Sequence, residues 1–299
     1  MKLAAIDIGS NAARLLISEV TKQPKQDPVF NKINLVRVPL RLGFDVFETG
    51  EISKAKVKML MQTLKAYQHL LQAYEIKHVY ACATSAMRDA RNSKDIIRKV
   101  KLETGIEIKV ISGQEEASFI YENHVAENLD SDHSYLYIDV GGGSTELTFF
   151  ANGALVSKES FNIGTIRLLK NQIKENTWDE MKDYVKKNIK SALPSIAIGS
   201  GGNITKILSM SRLKEGKPLS LDLLKDYYKE LSSVSLDERM RLFGLKEDRA
   251  DVIVPALLIY IQVMKWANID AIYVPKIGLV DGLIHHLYDK VGNIPVTYR

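Results

Sequence analysis

The sequence contains little of what marks secreted, disulfide-bonded or membrane-spanning proteins. Its 299 residues include one cysteine, Cys82, so the chain cannot form an internal disulfide, which suits a reducing compartment. Cys82 stands in the apolar run 79–83, which is typical of a small core residue and not of a nucleophile. The longest apolar run covers only residues 252–264, whereas a membrane span needs about 20 residues. We expect this run to form a buried helix with Pro255 near its first turn.

Several targeting and ligand-binding signatures are also missing. No Gly-x-x-x-x-Gly-Lys-Ser/Thr segment occurs, which excludes a P-loop. The six histidines lack metal-ligand spacing, and the adjacent His285 and His286 point in different directions on a predicted helix, which disfavours zinc chemistry. No secretory signal is visible, because only four apolar residues separate Lys2 from Asp7. We therefore expect a cytoplasmic protein that is not bound to a membrane.

The overall charge is mildly basic. The 41 basic residues exceed the 36 acidic residues, which gives a net charge of +5 and a pI of about 9.0. This balance suits an anionic ligand, and an ordinary protein surface explains the small excess equally well. The length and the apolar content of 45% predict two globular domains of about 100–200 residues each.

One structural unit occurs twice in the sequence. It consists of an apolar strand, an aspartate, a glycine-containing turn and a second strand, and it lies at residues 3–20 and again at residues 135–150. We call residues 7–11 (Asp-Ile-Gly-Ser-Asn) the first turn, and residues 139–145 (Asp-Val-Gly-Gly-Gly-Ser-Thr) the second turn. The repeat indicates two α/β domains related by duplication, and we expect a cleft between the two turns.

Each turn has the composition of an anion-binding site. Glycine lets the backbone turn tightly, so that several N–H groups can point at one cluster of oxygens. Further donors come from the side chains of Ser10, Asn11, Ser144 and Thr145. Asp7 and Asp139, at the strand ends, can hold Mg²⁺ directly or through water. Two ordinary hairpin turns are the alternative interpretation, but two matching turns with the same kinds of polar residue favour phosphate sites.

The glycine-rich segments differ from a dinucleotide-binding fingerprint. Gly141-Gly142-Gly143 is followed by a strand pattern and not by a helix. A further segment, residues 199–202, which we call the third turn, does follow a strand and open a helix. Its N–H groups can bind another phosphate or cap a nucleotide, and a tight strand–helix connection is the alternative.

Apolar periodicity predicts the main helices. They lie at residues 53–74, with Ser53 as N-cap, and at residues 93–103, 113–128, 165–176 and 179–191. Residues 23–34 are predicted to form a loop, and residues 33–42 a strand. Glu115 and Glu116 stand near the start of the helix at 113–128, where each can be either a general base or an ordinary acidic residue of a first helical turn.

Seven segments of the chain together resemble one family. They are residues 5–15, 83–92, 111–117, 139–146, 199–202, 249–253 and 278–282. The chain is similar to the exopolyphosphatase/guanosine pentaphosphate phosphohydrolase (Ppx/GppA) family in its short two-domain form. The resemblance implies an α/β fold made of duplicated actin/hexokinase-like (ribonuclease H-like) domains with an interdomain cleft. We expect one domain at residues 1–115 plus 283–299 and the other at residues 116–282.

The resemblance also implies an activity and a set of site residues. Such enzymes use Mg²⁺ to remove the terminal phosphate of inorganic polyphosphate or of the alarmone pppGpp. Glu116 corresponds to the general base that activates the attacking water. The residues expected to bind phosphate are Ser10, Asn11, Arg88, Gly141, Gly142, Gly143, Ser144, Thr145, Gly201 and Gly202. The residues expected to hold the metal are Asp7, Asp139 and Glu146.

Some positions depart from the family pattern, and other functions remain open. Ala12 stands where many members have serine and Asn203 where many have threonine, so substrate preference can differ. The roles of Arg14, Arg249 and Asp251 stay open. A sugar or acid kinase or an ATPase would use the same fold, but the segment Gly113–Ala117 favours hydrolysis. A non-catalytic polyphosphate or nucleotide sensor is the other alternative. The resemblance makes a homodimer reasonable, and we expect no nucleic-acid partner.

Overall fold

The computed structural model describes residues 1–22, 26–121, 132–214, 216–275 and 278–292. The chain divides into two compact units, residues 1–123 with 278–299, and residues 124–277. The sequence-based boundaries at 115/116 and 282/283 differ from these. Glu116 therefore belongs to the first unit, where its helix packs through Phe119 against His286.

The first unit is built on a sheet with the strand order β3-β2-β1-β4-β5. Its elements up to residue 121 are β1 (Lys2–Ile8), β2 (Ala13–Thr21), β3 (Val29–Val38), α1 (Leu42–Thr49), α2 (Lys54–Ala73), β4 (His78–Ala83), α3 (Ser85–Asp89), α4 (Ser93–Thr104), β5 (Ile108–Val110) and α5 (Gly113–Tyr121). The predicted N-cap of α2 is confirmed, because the side chain of Ser53 accepts a hydrogen bond from the amide of Lys56 at 3.3 Å.

The second unit is built on a sheet with the strand order β8-β7-β6-β9-β11-β10. Its elements are β6 (Ser134–Val140), β7 (Thr145–Ala151), β8 (Ala154–Phe161), α6 (Thr165–Leu169), α7 (Thr177–Asn188), β9 (Ser195–Ser200), α8 (Gly202–Ser211), β10 (Leu219–Ser220), α9 (Leu221–Ser232), α10 (Leu236–Phe243), α11 (Glu247–Ala250), α12 (Ile253–Ala267) and β11 (Ala271–Tyr273). The chain then returns to the first unit with α13 (Leu279–Gly292).

The two sheets share a five-stranded topology, as expected for a duplication, and the second sheet also contains β10 as an additional edge strand. In each, the first three strands of the unit pair antiparallel, and the first strand also pairs parallel with the fourth. Strands β1, β2, β3, β4 and β5 thus correspond to β6, β7, β8, β9 and β11. Both sheets also have a register irregularity between the second and third strands. The internal repeat found in the sequence is therefore a structural repeat.

The longest apolar run forms the centre of the second unit. Helix α12 contains Pro255 in its first turn, as predicted, and its side chains join the main hydrophobic cluster of this unit. The stretch Glu247–Ala267 is long and apolar enough to cross a membrane by length and composition. However, 61% of its apolar 18-residue segment is buried inside the structure. Burial against the sheet and its neighbouring helices accounts for the apolar character of α12.

Three predicted segments differ from the structure. The strand expected at 33–42 and the loop at 23–34 are wrong in part, because β3 already begins at Val29 and α1 follows at Leu42. The helix expected at 165–176 ends at Leu169, since Asn171 and Asn176 adopt left-handed backbone conformations that a helix cannot contain. Part of the helix expected at 113–128 lies outside the described residues.

Candidate functional site

The first and second turns have the same backbone geometry. The amide of Gly9 donates to the carbonyl of Ala12 at 3.0 Å, and the amide of Gly141 donates to the carbonyl of Ser144 at 2.9 Å. Each turn therefore closes in the same way between its two antiparallel strands. In each turn, the aspartate pairs across the two strands with the residue seven positions later. This residue is Arg14 for Asp7 and Glu146 for Asp139. The two copies thus share their backbone but differ in the charge that faces the aspartate.

In the first turn, the aspartate is paired with a cation. The guanidinium of Arg14 lies 2.8 Å from Oδ2 of Asp7, a residue that is only 3% exposed. Burial raises the pKa of Asp7, and the charge and hydrogen bond of Arg14 oppose this rise. Oδ1 of Asp7 has no hydrogen-bond partner within the described chain. One oxygen of Asp7 is therefore committed to Arg14, and the other is suited to a ligand or a cation.

In the second turn, the aspartate is paired with another carboxylate. Ligand oxygens of Asp139 and Glu146 lie within 4.8 Å of each other. Glu146 is 2% exposed, and its Oε1 accepts a hydrogen bond from the hydroxyl of Ser160 on β8 at 2.8 Å. Two carboxylates this close repel each other unless a cation lies between them. This donor set fits Mg²⁺, a hard cation that proteins commonly bind through one or two carboxylates.

The backbone of the second turn is held by the segment after β8. The amides of Thr165 and Ile166 donate to the carbonyls of Gly141 and Gly142 at 3.0 and 2.8 Å. A Cβ atom at Gly164 would lie 2.5 Å from backbone atoms of Gly142 and Gly143, so only glycine fits at this position. These contacts are between residues more than 20 positions apart, and the turn motif itself contains no signal for them.

The hydroxyl of Thr145 is already used inside the second unit. It donates to the carbonyl of Ile163 at 2.6 Å, and Thr145 is fully buried. Nε of Arg167 donates to the carbonyl of Gly143 at 2.7 Å. Thr145, expected to bind phosphate, therefore acts in this structure as a link between the second turn and the segment before α6. The phosphate-binding roles of Gly141, Gly142, Gly143 and Ser144 stay predictions.

The third turn lies beside the second turn in the same unit. A Cβ atom at Gly201, whose φ is +106°, would stand 3.2 Å from Oδ1 of Asp139. Nη1 of Arg249 donates to Oδ1 of Asn203 at 3.1 Å, and its guanidinium lies against Gly202. The structure therefore brings Gly201 and Gly202 next to the predicted metal ligand Asp139. It also places at this turn a cation, Arg249, whose role the sequence left open.

A buried tyrosine supports the third turn. The hydroxyl of Tyr260, on α12, donates to the carbonyl of Ser200. Burial raises the pKa of Tyr260 well above its usual range, and the charge of Asp139 raises it further. The phenol therefore stays protonated and can keep donating to the backbone of this turn. No feature of the sequence links Tyr260 to residue 200.

The two glutamates at the start of α5 have different surroundings. Glu115 and Ser112 cap the helix reciprocally. Oε2 of Glu115 accepts a hydrogen bond from the amide of Ser112 at 2.9 Å, and Oγ of Ser112 accepts one from the amide of Glu115 at 3.1 Å. Oε1 of Glu115 accepts from Lys109 at 2.7 Å. The hydrogen bonds from Lys109 and Ser112 lower the pKa of Glu115 to about 2. One oxygen of Glu115 thus caps the helix and the other pairs with Lys109. The side chain of Glu116 is not one of the groups in this reciprocal pair, although its amide donates to the carbonyl of Ser112 at 3.0 Å, and Glu116 is 8% exposed.

Glu116 and Asp7 both lie near the end of β4. Burial raises the pKa of the Cys82 thiol well above its usual range, and the negative charges of Asp7 and Glu116 raise it further. Cys82 is fully buried, so its predicted place in the core is confirmed. Within the first unit, the folded chain therefore brings the proposed base and the aspartate of the first turn to the same region.

Two other predicted site residues hold neighbouring segments together. Nη1 of Arg88 donates to the carbonyl of Ile111 at 2.8 Å, one residue before the cap of α5. The carbonyl of Asn11 accepts from the amide of Arg41 at 2.8 Å. Arg88 thus positions the start of the helix that carries Glu116. Whether Arg88 and Asn11 also contact phosphate stays a prediction.

A family model described as the Ppx/GppA phosphatase family matches residues 20–291. The chain belongs to this family. It is 32% identical to the bifunctional 3-dehydroquinate synthase/phosphatase of Fusobacterium nucleatum over 97% of its own length, and it spans 46% of that protein. It is 25% identical to the guanosine-5'-triphosphate,3'-diphosphate pyrophosphatase of Vibrio parahaemolyticus over 99% of its own length, and it spans 61% of that protein.

Solved structures of Ppx/GppA proteins confirm the predicted fold. The crystal structure of an exopolyphosphatase from Cytophaga hutchinsonii has a TM-score of 0.83 and 27% identity to this chain, and the match covers 97% of this chain and 98% of that chain. The duplicated α/β architecture described above is therefore the actin-like two-domain fold of the Ppx/GppA family.

Proposed function

We propose that this Ppx/GppA-family protein is a Mg²⁺-dependent exopolyphosphatase, which hydrolyses the terminal phosphoanhydride bond of inorganic polyphosphate and releases orthophosphate. The observation that carries the proposal is the second turn, where the carboxylates of Asp139 and Glu146 face each other beside a glycine-rich backbone. Paired carboxylates suit a hard divalent cation, and glycine turns suit phosphate oxygens. A substrate made of linked phosphates needs both.

The proposed reaction is attack of a water oxygen on the terminal phosphorus. The bond from that phosphorus to the bridging oxygen breaks, and the carboxylate of Glu116 takes a proton from the water. Glu116 is favoured over Glu115 because one oxygen of Glu115 caps α5 and the other accepts from Lys109. Asp139 and Glu146 would hold Mg²⁺, which neutralises charge on the phosphate oxygens when bound.

Two glycine-rich turns of the second unit supply the proposed contacts to the phosphate chain. The backbone amides of the second and third turns can donate to phosphate oxygens close to Asp139, since Gly201 lies beside that carboxylate. Ser10 and Asn11, on the first turn, and Arg88 are proposed to contact the same substrate. Several donors spread over these turns suit a ligand that carries several phosphates.

The choice of polyphosphate over pppGpp is based on the relatives. The match to the exopolyphosphatase structure covers 98% of that chain, whereas this protein spans only 61% of the relative named for guanosine-5'-triphosphate,3'-diphosphate. Hydrolysis of pppGpp is the second candidate, because that relative matches 99% of this chain. Both substrates present a terminal phosphoanhydride, so the same site chemistry serves either.

The test is release of orthophosphate from polyphosphate, pppGpp and ATP, each with Mg²⁺ and with excess chelator. We expect release from polyphosphate to be fastest and to stop when Mg²⁺ is removed. Faster release from pppGpp at equal concentration would favour the second candidate. Binding of polyphosphate without release from any of the three compounds would contradict the hydrolase proposal and favour a sensor.

A further inference from the structure

A pair of buried hydroxyl groups joins the first turn to the start of α3, which follows β4. The Oγ atoms of Ser10 and Ser85 lie 2.8 Å apart, and each residue is 3% exposed. Oγ of Ser10 also accepts a hydrogen bond from the amide of Ala86 at 3.1 Å. The carbonyl of Ser10 accepts from the amide of Gly43 at 2.8 Å. Both the backbone and the side chain of Ser10 are therefore held in place.

The hydroxyl protons of this pair can be counted. A serine hydroxyl has one proton to donate and two lone pairs that accept. One of the two protons lies in the Ser10–Ser85 hydrogen bond, whichever oxygen donates it. Within the described chain, the hydrogen bonds of these two side chains provide no acceptor for the other proton. Because buried donors are normally satisfied, this proton suits an acceptor that a ligand brings.

We infer that Ser85 is a positioning residue that holds the Ser10 hydroxyl as a donor toward a phosphate oxygen at the first turn, an inference that rests on the phosphate-binding function proposed above. When Ser85 donates to Ser10, the Ser10 oxygen accepts two hydrogen bonds, from Ser85 and from Ala86. Its own proton is then the one left for the substrate. Accepting hydrogen bonds polarises a hydroxyl and strengthens the bond that it donates.

The chemistry of the ligand matches this arrangement. An ionised phosphate oxygen accepts hydrogen bonds and donates none, and its charge strengthens each bond that it accepts. A ligand that mainly donates hydrogen bonds would need Ser10 to accept a third bond, for which its two lone pairs leave no place. Ser85 therefore favours anionic oxygens at the first turn without touching them.

A purely structural role for Ser85 predicts a different outcome. In that case its hydroxyl would only fasten the first turn to α3. Removing it would then lower the thermal unfolding midpoint of the unliganded chain but leave the dissociation constant of the folded chain unchanged. A positioning role requires that the effect on binding disappear once Ser10 has no hydroxyl to hold.

The experiment is a double-mutant cycle of Ser10→Ala and Ser85→Ala. Every variant also carries Glu116→Gln to slow turnover, and calorimetry measures the dissociation constant for tripolyphosphate with Mg²⁺. We expect Ser85→Ala to raise the dissociation constant about threefold to tenfold, the range for one neutral hydrogen bond. In the Ser10→Ala background it should change the constant less than about twofold. Ser85→Thr, which keeps the hydroxyl, should restore binding.

Each outcome of this cycle decides the inference. Equal weakening by Ser85→Ala with and without the Ser10 hydroxyl would overturn it, and so would unchanged binding in Ser85→Ala alone. If Ser85→Thr fails to fold, the alanine cycle still decides. Tripolyphosphate that is bound by the unmutated chain but never hydrolysed would contradict the proposed function and leave this inference standing. No binding by the unmutated chain would overturn both.

Discussion

Replacing Glu116 with glutamine is expected to lower the rate of orthophosphate release from polyphosphate by at least about 100-fold, the size of a general-base contribution. Glutamine has nearly the same shape as glutamate but cannot take a proton from the attacking water. The buried position of Glu116 makes a substitute base from solvent inefficient. The measurement is the rate of orthophosphate release at saturating polyphosphate and Mg²⁺, with the thermal unfolding midpoint recorded for the same sample.

Glu115→Gln is the matched control for this variant. The two glutamates are neighbours on α5, and the substitution removes the same charge. Glu115, however, caps α5 through one oxygen and pairs with Lys109 of β5 through the other. We expect Glu115→Gln to lower the thermal unfolding midpoint while the rate stays within about fivefold of the unmutated chain. A Glu116→Gln enzyme that releases phosphate at a near-normal rate would refute the assignment of the base.

Replacing Glu146 with glutamine is expected to cause the second largest loss of phosphate-releasing activity. We expect a loss on the order of 100-fold at limiting Mg²⁺, because a bound metal contributes several kcal/mol and about 1.4 kcal/mol corresponds to a factor of ten. The physical reason is that Asp139 and Glu146 face each other, so that a cation gains from both charges. Titration calorimetry with Mg²⁺ in the absence of substrate measures the same loss as weaker metal binding.

Glu159→Gln is the control for the metal site. Glu159 is the neighbour of Ser160 on β8 and pairs with Leu147 on β7, next to Glu146, but it is not part of the carboxylate group around Asp139. The substitution makes the same change in charge close by. Metal binding that falls equally in Glu146→Gln and Glu159→Gln would show that general surface charge, and not the carboxylate pair, attracts the ion.

The comparison of the two turns explains why the second turn is proposed as the main metal site. The duplicated backbone gives both aspartates the same position, but Asp7 faces Arg14 and Asp139 faces Glu146. Arg14 pairs with Asp7, whereas Asp139 faces a second carboxylate, so that a divalent cation gains more at the second turn. The expectation from sequence that Asp7 also binds metal stays a prediction, and its Oδ1 is the atom that can do so.

The duplication and the turns could be predicted from sequence because their signals are local. An apolar strand, an aspartate, glycines and a returning strand are adjacent in the chain, and each copy supports the interpretation of the other. The Ser53 cap and the buried helix with Pro255 could be predicted for the same reason. Local patterns of this kind depend on backbone preferences that a few neighbouring residues determine.

The supporting contacts of the site could not be predicted, because they join residues far apart in the chain. The contact of Ser10 with Ser85 depends on the pairing of β1 with β4, and the contact of Glu146 with Ser160 depends on the register of β7 and β8. Gly164 is constrained by the backbone of the second turn. None of these positions stands out by composition, since serine and glycine are common in loops.

Helix α1 was missed although a signal was present. Gly50 follows its last residue in a left-handed conformation, which is the usual C-terminal signal of a helix. The predicted strand ends at residue 42, and no element is predicted for residues 43–49. Apolar periodicity separates a helix from a strand poorly in a segment of only about eight residues.

The central claim is that water attacks the terminal phosphorus of polyphosphate in a reaction that requires Mg²⁺. The most direct measurement uses polyphosphate of one defined length in ¹⁸O-labelled water, with mass spectrometry of the orthophosphate and gel analysis of the remaining chain. We expect each released orthophosphate to contain one ¹⁸O atom and the chain to shorten from its end, in the presence of Mg²⁺ only. Fragments from internal cleavage, or no orthophosphate with Mg²⁺ present, would contradict this claim.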